Sequence, residues 1–412
     1  MELKVKVLIF LLCSLLVMWR LGFVFHEMAF GLLSVFLPLY IVAIGGSLID
    51  VGVMSAAALF LAIPASFFWG YICDKTRHYK RFILLSFLSS AVILYLFTLT
   101  SNVTLLIILY AVMAVLHIAH EPPKNVLIAE LYTRGEWEKT FALYEEFTEI
   151  GWLSGLLFGL FMSIYGASAA STLFLCSSLN LAAFVLSILF VEDPIMIFER
   201  GLVAIEKTID FACKGVAVAS RIFDGAIING RVERENVNAF CGGLILFSLA
   251  TSMLFTPMPV FLSRGLAFSQ SLIFALYVLN SSGSVLGYFF TSRRSDQRVE
   301  KAVLNRIAVS RSVLTSLLII PSLSPIFSIG IVAVILGLMG FIYALFLVYT
   351  LALSMELLPK GKAGLFNALV GAGSACGSFI GPLLAEKWGF AYTFLASSII
   401  FLLAYIAFKI FD

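Results

Sequence analysis

Long apolar segments alternate with short polar connections along almost the whole chain. A helix needs about 20 apolar residues to cross the hydrocarbon core of a bilayer. Twelve segments reach that length and are predicted to be transmembrane helices, with approximate bounds 15–41, 48–72, 82–101, 104–130, 139–165, 169–191, 238–262, 269–291, 303–321, 325–355, 362–385 and 390–409. Residues 7–14 either lengthen the first helix or resemble a signal-peptide core. Arg20 and the absence of a small-residue cleavage site favour an uncleaved first helix.

The composition indicates a membrane protein. Hydrophobic residues make up 61% of the chain and charged residues 12%, whereas a soluble domain carries about 25% charged residues. The six cysteines are scattered without pairing or ligand spacing, so we expect no disulfide framework, metal or cofactor. The motif G-x-x-x-x-G-K-[ST] does not occur, which argues against a built-in ATP motor. We expect the lipid bilayer and a small molecule as partners, and no nucleic acid.

The charge distribution predicts the orientation and the domains. Most of the 27 Lys and Arg residues lie at the termini or at even-numbered connections, which predicts a multi-pass protein of the cell membrane with both termini cytoplasmic. The longest polar stretch, 193–237, is then a cytoplasmic interdomain loop. It separates an N-terminal six-helix bundle (1–192) from a C-terminal one (238–412). The loop is either a surface helix on the inner leaflet or a simple tether.

The two halves of the sequence repeat each other weakly. At one constant spacing, Glu130 matches Glu356 and Gly151 matches Gly377. Many secondary transporters are built from such repeats, with the substrate site between them near the middle of the membrane. We therefore expect two pseudo-symmetric bundles with a site at their interface.

The connection between the second and third segments carries a family motif. It begins with Gly70, has Asp74 four residues later, and continues with a basic run. This resembles the signature of the major facilitator superfamily, although Arg77 stands where the family usually has Gly. The resemblance covers the whole chain, including the central loop and a degenerate second copy. It implies an all-α membrane protein, with twelve transmembrane helices in two six-helix pseudo-symmetric bundles, and we expect a monomer.

The resemblance also implies a gating role for this connection. In relatives the acid interacts with a helix N-terminus of the other half, where anions are favoured, and the arginine pairs with an acid that ends the fourth span. In this chain Asp74 would lie near Gly361, at the start of the eleventh segment. Arg77 would pair with Glu130. Alternatively, the basic residues only anchor the loop on the cytoplasmic side. The predicted gating residues are Gly70, Asp74, Lys75, Arg77, Arg81 and Glu130.

Glycines recur at every fourth residue in the fifth and eleventh segments. They are Gly151, Gly155 and Gly159, and Gly373, Gly377 and Gly381, the last followed by Pro382. Such ridges allow helices to pack closely. They resemble the glycine-rich fifth-span signature of antiporters, although Leu156 replaces its proline. Plain helix packing explains the ridges equally well.

The fourth segment contains the stretch HIAHEPPK at residues 117–124. A charge at this depth costs about 2.5–3.5 kcal/mol, so an ionisable residue there indicates a functional site by default. The spacing places the ionisable side chains on one helical face, and the two prolines should kink the helix. We expect Lys124 to neutralise Glu145 or Glu146 of the fifth segment, which lie at similar depth.

Most of the candidate chemistry lies in the first half. Crowded, desolvated carboxylates hold protons readily and histidine titrates near neutral pH, so we predict that Glu27, His120 and Glu121 couple protons to transport. The second half offers mainly hydrogen-bonding and aromatic side chains. The predicted substrate and proton cavity comprises His26, Glu27, His117, His120, Glu121, Lys124, Glu145, Glu146, Glu149, Asn280, Tyr343 and Asn367.

These features predict a secondary transporter that moves a small molecule across the cell membrane by alternating access. We expect coupling to protons, and an exporter of drugs or metabolites rather than an importer. A cavity that is acidic on one side and aromatic on the other suits a cationic or amphipathic substrate. Two alternatives remain. One is a non-transporting sensor or receptor on a transporter scaffold. The other is a membrane enzyme with a metal on His117, His120 and Glu121, although their spacing is not the H-E-x-x-H of zinc enzymes.

Overall fold

The computed structural model describes residues 18–131, 137–193, 236–292, 302–323, 328–357 and 363–411. Within these ranges the chain is helical, and 12 helices are long and apolar enough to cross a membrane. The predicted fold class is therefore confirmed. Most of the predicted interdomain loop, residues 7–14 and the start of the predicted eleventh helix lie outside the described residues.

We number the membrane-crossing helices as spans 1 to 12. Spans 1, 2, 3, 5 and 6 are the helices Arg20–Ala43, Leu48–Thr76, Tyr79–Thr98, Trp137–Ile164 and Ala169–Phe190. Spans 8, 10, 11 and 12 are Gln270–Ser292, Ser328–Leu357, Ala363–Trp388 and Phe390–Phe411. The other three are interrupted. Span 4 consists of Val103–His117, Ile118–His120 and Glu121–Leu131; span 7 of Val237–Phe255, Met258–Val260 and Phe261–Gly265; span 9 of Ala302–Leu317 and Ile319–Leu323.

The interruption of span 4 lies at the prolines that the sequence marks. The α-helix ends at His117, a 3₁₀ turn covers Ile118–His120, and a new helix begins at Glu121. Pro122 and Pro123 supply no backbone N–H, so the preceding turn cannot complete a regular α-helical ladder. The structure thus has an interruption where the kink is predicted, and the bend itself stays a prediction. It places His120 and Glu121 at the junction of the two helical pieces.

The two halves use the same packing scheme. In the first half, span 1 packs against spans 5 and 6, span 2 against span 4, and span 3 against span 6. In the second half, span 7 packs against spans 11 and 12, span 8 against span 10, and span 9 against span 12. Spans 2 and 11 meet across the halves, as do spans 5 and 8. The internal repeat of the sequence thus corresponds to a repeated set of helix contacts.

The glycine ridges lie where helix backbones approach most closely. A Cβ atom on Gly155 of span 5 would collide with the carbonyl of Met28 in span 1, and one on Gly377 of span 11 with the carbonyl of Leu249 in span 7. The same arrangement holds for Gly151 against Val24, Gly373 against Ile245 and Gly381 against Met253, whereas Gly159 faces Phe274 of span 8, and Pro382 faces Gly52 of span 2. Small residues permit such contacts between membrane helices.

The two halves also meet at the end that carries the odd-numbered connections. The Arg264 guanidinium donates to the Val42 carbonyl at 3.3 Å. The backbone N–H of Leu48 donates to the Glu386 carboxylate at 3.2 Å. An apolar cluster of Leu48, Val260 and Ala385 packs beside these bonds. This end of the molecule is closed by contacts between the halves.

Candidate functional site

Three histidines from spans 1 and 4 come together inside the first half. The rings of His26 and His117 stack with centroids 4.8 Å apart, and His120 packs edge-on to His117 at the same 4.8 Å. His26 is fully buried and His120 is 1% exposed. Phe87 of span 3 packs on His26, with centroids 4.4 Å apart. We call His26, His117 and His120 the histidine cluster.

Asn180 of span 6 determines the proton positions at one side of the cluster. Its amide nitrogen donates to the Cys176 carbonyl at 3.0 Å, so its amide oxygen is the atom that faces His26 Nδ1, at 2.6 Å. His26 Nδ1 must therefore carry the hydrogen. In a neutral imidazole, Nε2 is then an acceptor, and it lies 3.0 Å from His117 Nδ1. His117 thus donates to His26.

Ser86 of span 3 determines the proton position on His120. The Ser86 hydroxyl donates to the His117 carbonyl at 2.7 Å, which leaves its oxygen to accept from His120 Nδ1 at 3.1 Å. The same Nδ1 lies 2.6 Å from the His117 carbonyl, an obligate acceptor. His120 Nδ1 therefore carries a hydrogen, and Nε2 of a neutral His120 has a free lone pair.

Glu121 connects the histidine cluster to Lys124. One carboxylate oxygen lies 3.4 Å from His120 Nε2, and the other lies 2.6 Å from Lys124 Nζ. Lys124 is 7% exposed and its ammonium lies 4.9 Å from the centroid of the Tyr144 ring. Among the described residues the direct ion pair of Lys124 therefore forms within span 4, and Glu145, one of the two expected partners, acts on its charge at longer range. Residues three apart in one helix lie next to each other on its surface, so Glu121 is within reach of Lys124.

The remaining acids lie on spans 1 and 5, and one of them contacts the other half. The Glu149 carboxylate of span 5 accepts from the Ser281 hydroxyl of span 8 at 2.8 Å, so the two halves share a hydrogen bond here. Glu27 is half-buried in span 1, with its Cβ beside Gly151 of span 5. Glu145 is exposed and Glu146 is half-buried.

The polar residues predicted in the second half do not join the histidine cluster. The Asn280 side chain donates to the Leu336 carbonyl at 2.7 Å and so links spans 8 and 10. Asn367 is exposed. Tyr343 is half-buried in span 10 and lies beside Arg311, with the guanidinium carbon 5.4 Å from its ring centroid. Hydrogen bonding to a substrate at these positions stays a prediction.

Arg311 is the deepest charge of the second half among the described residues. It lies in span 9, is 0% exposed, and ranks among the largest fully buried side chains. The sequence places this arginine within a span but does not tell which way it points. Its burial among the helices of the second half is a finding of the structure.

The histidine cluster has nitrogens close enough together for a metal. One ligand atom from each of the three residues lies within 4.8 Å of the others. However, His26 Nε2 and His117 Nδ1 point at each other at 3.0 Å, and the Nδ1 atoms of His26 and His120 bond to Asn180 and to the His117 carbonyl. A zinc ion needs lone pairs that converge on one point about 2.0 Å away. The geometry favours a hydrogen-bonded chain over a metal centre.

The predicted gating loop is partly described. Span 2 ends at Thr76, and the next residue, Arg77, has a φ of 56°. Its backbone N–H donates to the Cys73 carbonyl at 2.9 Å. This left-handed conformation favours glycine, the residue that the family usually has there. Asp74 is half-buried. The Glu130 side chain and Gly361 lie outside the described part, so the predicted contacts of Asp74 and Arg77 stay predictions.

Sequence reasoning missed Ser86 and Asn180. Both hold histidines in place, from spans 3 and 6. Asn180 carried a signal, since it is an amide inside a long apolar segment, where polar groups need partners. Ser86 carried less, because serines are frequent in this chain's apolar segments and bond to their own helix backbone.

The fold and the site define a polytopic membrane protein with a polar network inside one six-helix half. The model of the Major Facilitator Superfamily matches residues 21–371. The chain belongs to this superfamily of transporters.

Particular relatives agree with this assignment. The uncharacterized MFS-type transporter YqjV of Bacillus subtilis (strain 168) is 28% identical over 177 residues, which is 42% of each chain; the match thus spans less than half of that relative. The nucleoside transporter NupG has a similar structure, with a TM-score of 0.67 and 13% identity over 96% of this chain and 98% of NupG. The human organic anion transporter MFSD10 gives a TM-score of 0.64 and 14% identity over 96% and 98%.

Proposed function

We propose that this protein is a proton-coupled secondary transporter that moves a small molecule by alternating access. The observation that carries the proposal is the contact between His120 Nε2 and Glu121 Oε1, 3.4 Å apart. Because His120 Nδ1 holds a hydrogen for Ser86 and the His117 carbonyl, Nε2 of a neutral ring turns a lone pair toward a carboxylate oxygen. Two acceptors repel each other unless a proton lies between them.

A proton taken up by His120 at this contact is stabilised by the Glu121 carboxylate. Protonated His120 would face Glu121, whose other oxygen pairs with Lys124 at 2.6 Å. The Glu121 carboxylate then has a positive charge on each side, which is a condition for a charge to persist at low exposure. Loss of the proton removes one attraction from the junction of the two span 4 pieces. Proton binding is thereby linked to the shape of a helix that lines the cavity in this superfamily.

The site can exchange with water from one end. The Glu121 side chain is 34% exposed, whereas the end with the odd-numbered connections is closed by Arg264–Val42 and Leu48–Glu386 contacts. The Ser281–Glu149 bond joins the halves nearby. Opening of the closed end and closing of the other would expose the same Glu121 to the opposite side. That is the requirement for coupling a proton gradient to substrate movement.

The direct test measures transport with Glu121 neutralised. Glu121→Gln should abolish uphill accumulation driven by a pH gradient in proteoliposomes, while substrate exchange without net proton movement persists. Because this change leaves Lys124 without its partner, the double variant Glu121→Gln/Lys124→Gln is measured as well. Glu27→Gln tests the second predicted acid, and the exposed Glu192→Gln is the matched control. Gradient-driven accumulation at the wild-type rate in all the Glu121 and Glu27 variants would overturn the proposal.

We also propose that the loop after span 2 gates the cycle. Asp74 is half-buried at the end of that span, and Arg77 keeps the turn in a left-handed conformation. Asp74→Asn should slow transport about tenfold without weakening substrate binding, since its removal disturbs a contact made in one conformation only. A normal transport rate with normal affinity would reduce Asp74 to a surface charge. Ligand binding and flux are measured on the same preparation.

The remaining features of the proposal rest on charge distribution and family. We place the protein in the cell membrane as a monomer with both termini cytoplasmic, because the basic connections mark the inner side. NupG is described as a nucleoside transporter and MFSD10 as an organic anion transporter. These different substrates at low identity assign none to this chain. Export is proposed over import from the fifth-span glycine ridge. A non-transporting sensor would bind ligand without any flux in the same proteoliposomes.

A further inference from the structure

Arg311 lacks the partners that a buried cation needs. It is 0% exposed, and its Nε and both terminal nitrogens have no hydrogen-bond partner among the residues that the structure describes. A guanidinium presents five N–H donors and stays charged. Buried polar groups are nearly always hydrogen-bonded, so an unpaired set of donors indicates that a ligand completes the site.

Aromatic rings surround the guanidinium without satisfying it. Its central carbon lies 5.4 to 5.8 Å from the ring centroids of Phe247, Phe255, Tyr343 and Phe401. The π faces of such rings attract a cation. A ring face is a poor hydrogen-bond acceptor, however, so the N–H donors of the guanidinium stay without partners among the described residues. The rings therefore attract the guanidinium, and its N–H donors stay available to a ligand.

Two rings of this aromatic cage are less buried than the other two. Phe247 and Phe401 are buried, whereas Phe255 and Tyr343 are only half-buried. Tyr343 lies close enough to interact electrostatically with both Arg311 and Glu149. Glu149 is the residue that bonds to Ser281 across the halves. Tyr343 of the cage therefore lies near Arg311 and near a residue of the other half.

We propose that Arg311 and Tyr343 form a binding subsite for the carboxylate or phosphate group of an organic anion. The planar guanidinium holds two oxygens of such a group in parallel, and the Tyr343 hydroxyl supplies another donor. The rings of Phe255 and Tyr343 suit an apolar substrate body. The substrate role of this subsite rests on the proposed transport function, and it replaces the expectation of a cationic substrate.

A small inorganic anion would bind Arg311 by the same chemistry. An organic anion and an inorganic anion differ in their contacts with the aromatic rings. An organic anion gains from Phe255 and Tyr343, while chloride or phosphate does not. The probes are therefore chosen as matched sets: benzoate with benzamide, phenyl phosphate with phenol, and sodium phosphate and sodium chloride alone.

Thermal unfolding of the purified full-length protein measures binding to each probe. We expect benzoate or phenyl phosphate to raise the Tm of the wild type, with no effect of benzamide or phenol. Arg311→Met keeps the side-chain length and should weaken binding of the anion about tenfold or more. Arg311→Lys keeps the charge but loses the planar fork, and should bind with intermediate affinity. Tyr343→Phe should weaken binding less than Arg311→Met.

Each outcome decides the proposal. It is overturned if no anion stabilises the wild type beyond its neutral counterpart, or if Arg311→Met binds the anion as tightly as the wild type. Should Arg311→Met fail to fold, Arg311→Lys and Tyr343→Phe carry the test. An effect of sodium phosphate or chloride equal to that of the aromatic anions identifies an inorganic ion and overturns the organic-anion assignment. Anion binding without gradient-driven flux leaves the subsite intact and contradicts the proposed transport function.

Discussion

The two halves of this protein share a packing scheme but treat buried charge in opposite ways. In the first half, Lys124 and Glu121 form an ion pair at 2.6 Å, and each Nδ1 atom of the histidine cluster has a hydrogen-bond partner. In the second half, the Arg311 guanidinium has aromatic neighbours and no hydrogen bond among the described residues. A network of hydrogen-bonded side chains can bind a proton, whereas a cation with unpaired N–H donors can bind an anionic ligand. The contrast separates the proposed proton-coupling site from the proposed anion subsite.

The largest expected effect breaks the first-half ion pair. Lys124→Met should destabilise the protein by about 3–5 kcal/mol, because it leaves a carboxylate without its buried partner. Adding Glu121→Gln should restore most of that loss. Adding Glu145→Gln should restore less, since Glu145 is exposed and acts on Lys124 only at longer range than Glu121 does. Denaturant unfolding in detergent measures all three variants.

The same measurement on Arg311 sharpens the contrast. Arg311→Met removes a buried charge that has no hydrogen-bonding partner among the described residues, so it should leave stability unchanged or raise it. Equal losses for Lys124→Met and Arg311→Met would show that both cations have structural partners. The difference between the halves would then disappear.

A smaller effect is expected at the hydrogen bonds that orient the histidines. Asn180→Leu removes the acceptor of His26 Nδ1, at present 2.6 Å away, and should cost about 1–3 kcal/mol, the penalty for a buried donor left unpaired. The matched second-half variant is Asn280→Leu, which removes only a donor to the Leu336 carbonyl of a helix. It should cost less. The melting temperatures of the two variants report the difference, and equal values would contradict it.

The sequence predicted the fold because the fold depends on properties that a single chain displays. Apolar length predicts spans, and glycine spacing marks the helices that pack closely, as Gly155 and Gly377 do against Met28 and Leu249. Proline predicted the break in span 4 beside His120. These features follow from local chemistry and the thickness of a membrane.

The partners within the site were harder to predict because they depend on the rotation of each helix. Counting residues back from the connection between spans 4 and 5 predicts a span 5 glutamate at the depth of Lys124. In the structure Lys124 pairs with Glu121, one turn away in its own helix. Asn180 contributes from span 6, which shares no motif with span 1. The direction of Arg311 likewise depends on how span 9 turns against spans 7, 10 and 12. None of these rotations is encoded in hydrophobic periodicity alone.

A further, modest effect is expected at the hydrogen bond that joins the two halves. The Ser281 hydroxyl donates to the Glu149 carboxylate at 2.8 Å, and only a conformation that brings spans 5 and 8 together at this level can contain that bond. Ser281→Ala should weaken this conformation by about 1.5 kcal/mol, or roughly tenfold in population, because a hydrogen bond to a charged group is lost. Ser282→Ala, one residue further along the same helix and half-buried, is the control.

The measurement is the distance distribution between spin labels on spans 5 and 8. The shift should appear in Ser281→Ala and be absent from Ser282→Ala. The conformational shift should also affect the histidine cluster and Arg311 differently. The histidine cluster lies wholly within one half, so proton binding at Glu121 should change little, whereas Arg311 contacts Tyr343, which lies near Glu149. Anion affinity should therefore change with Ser281→Ala. Unchanged anion affinity together with a shifted distance distribution would separate Arg311 from the movement of the two halves.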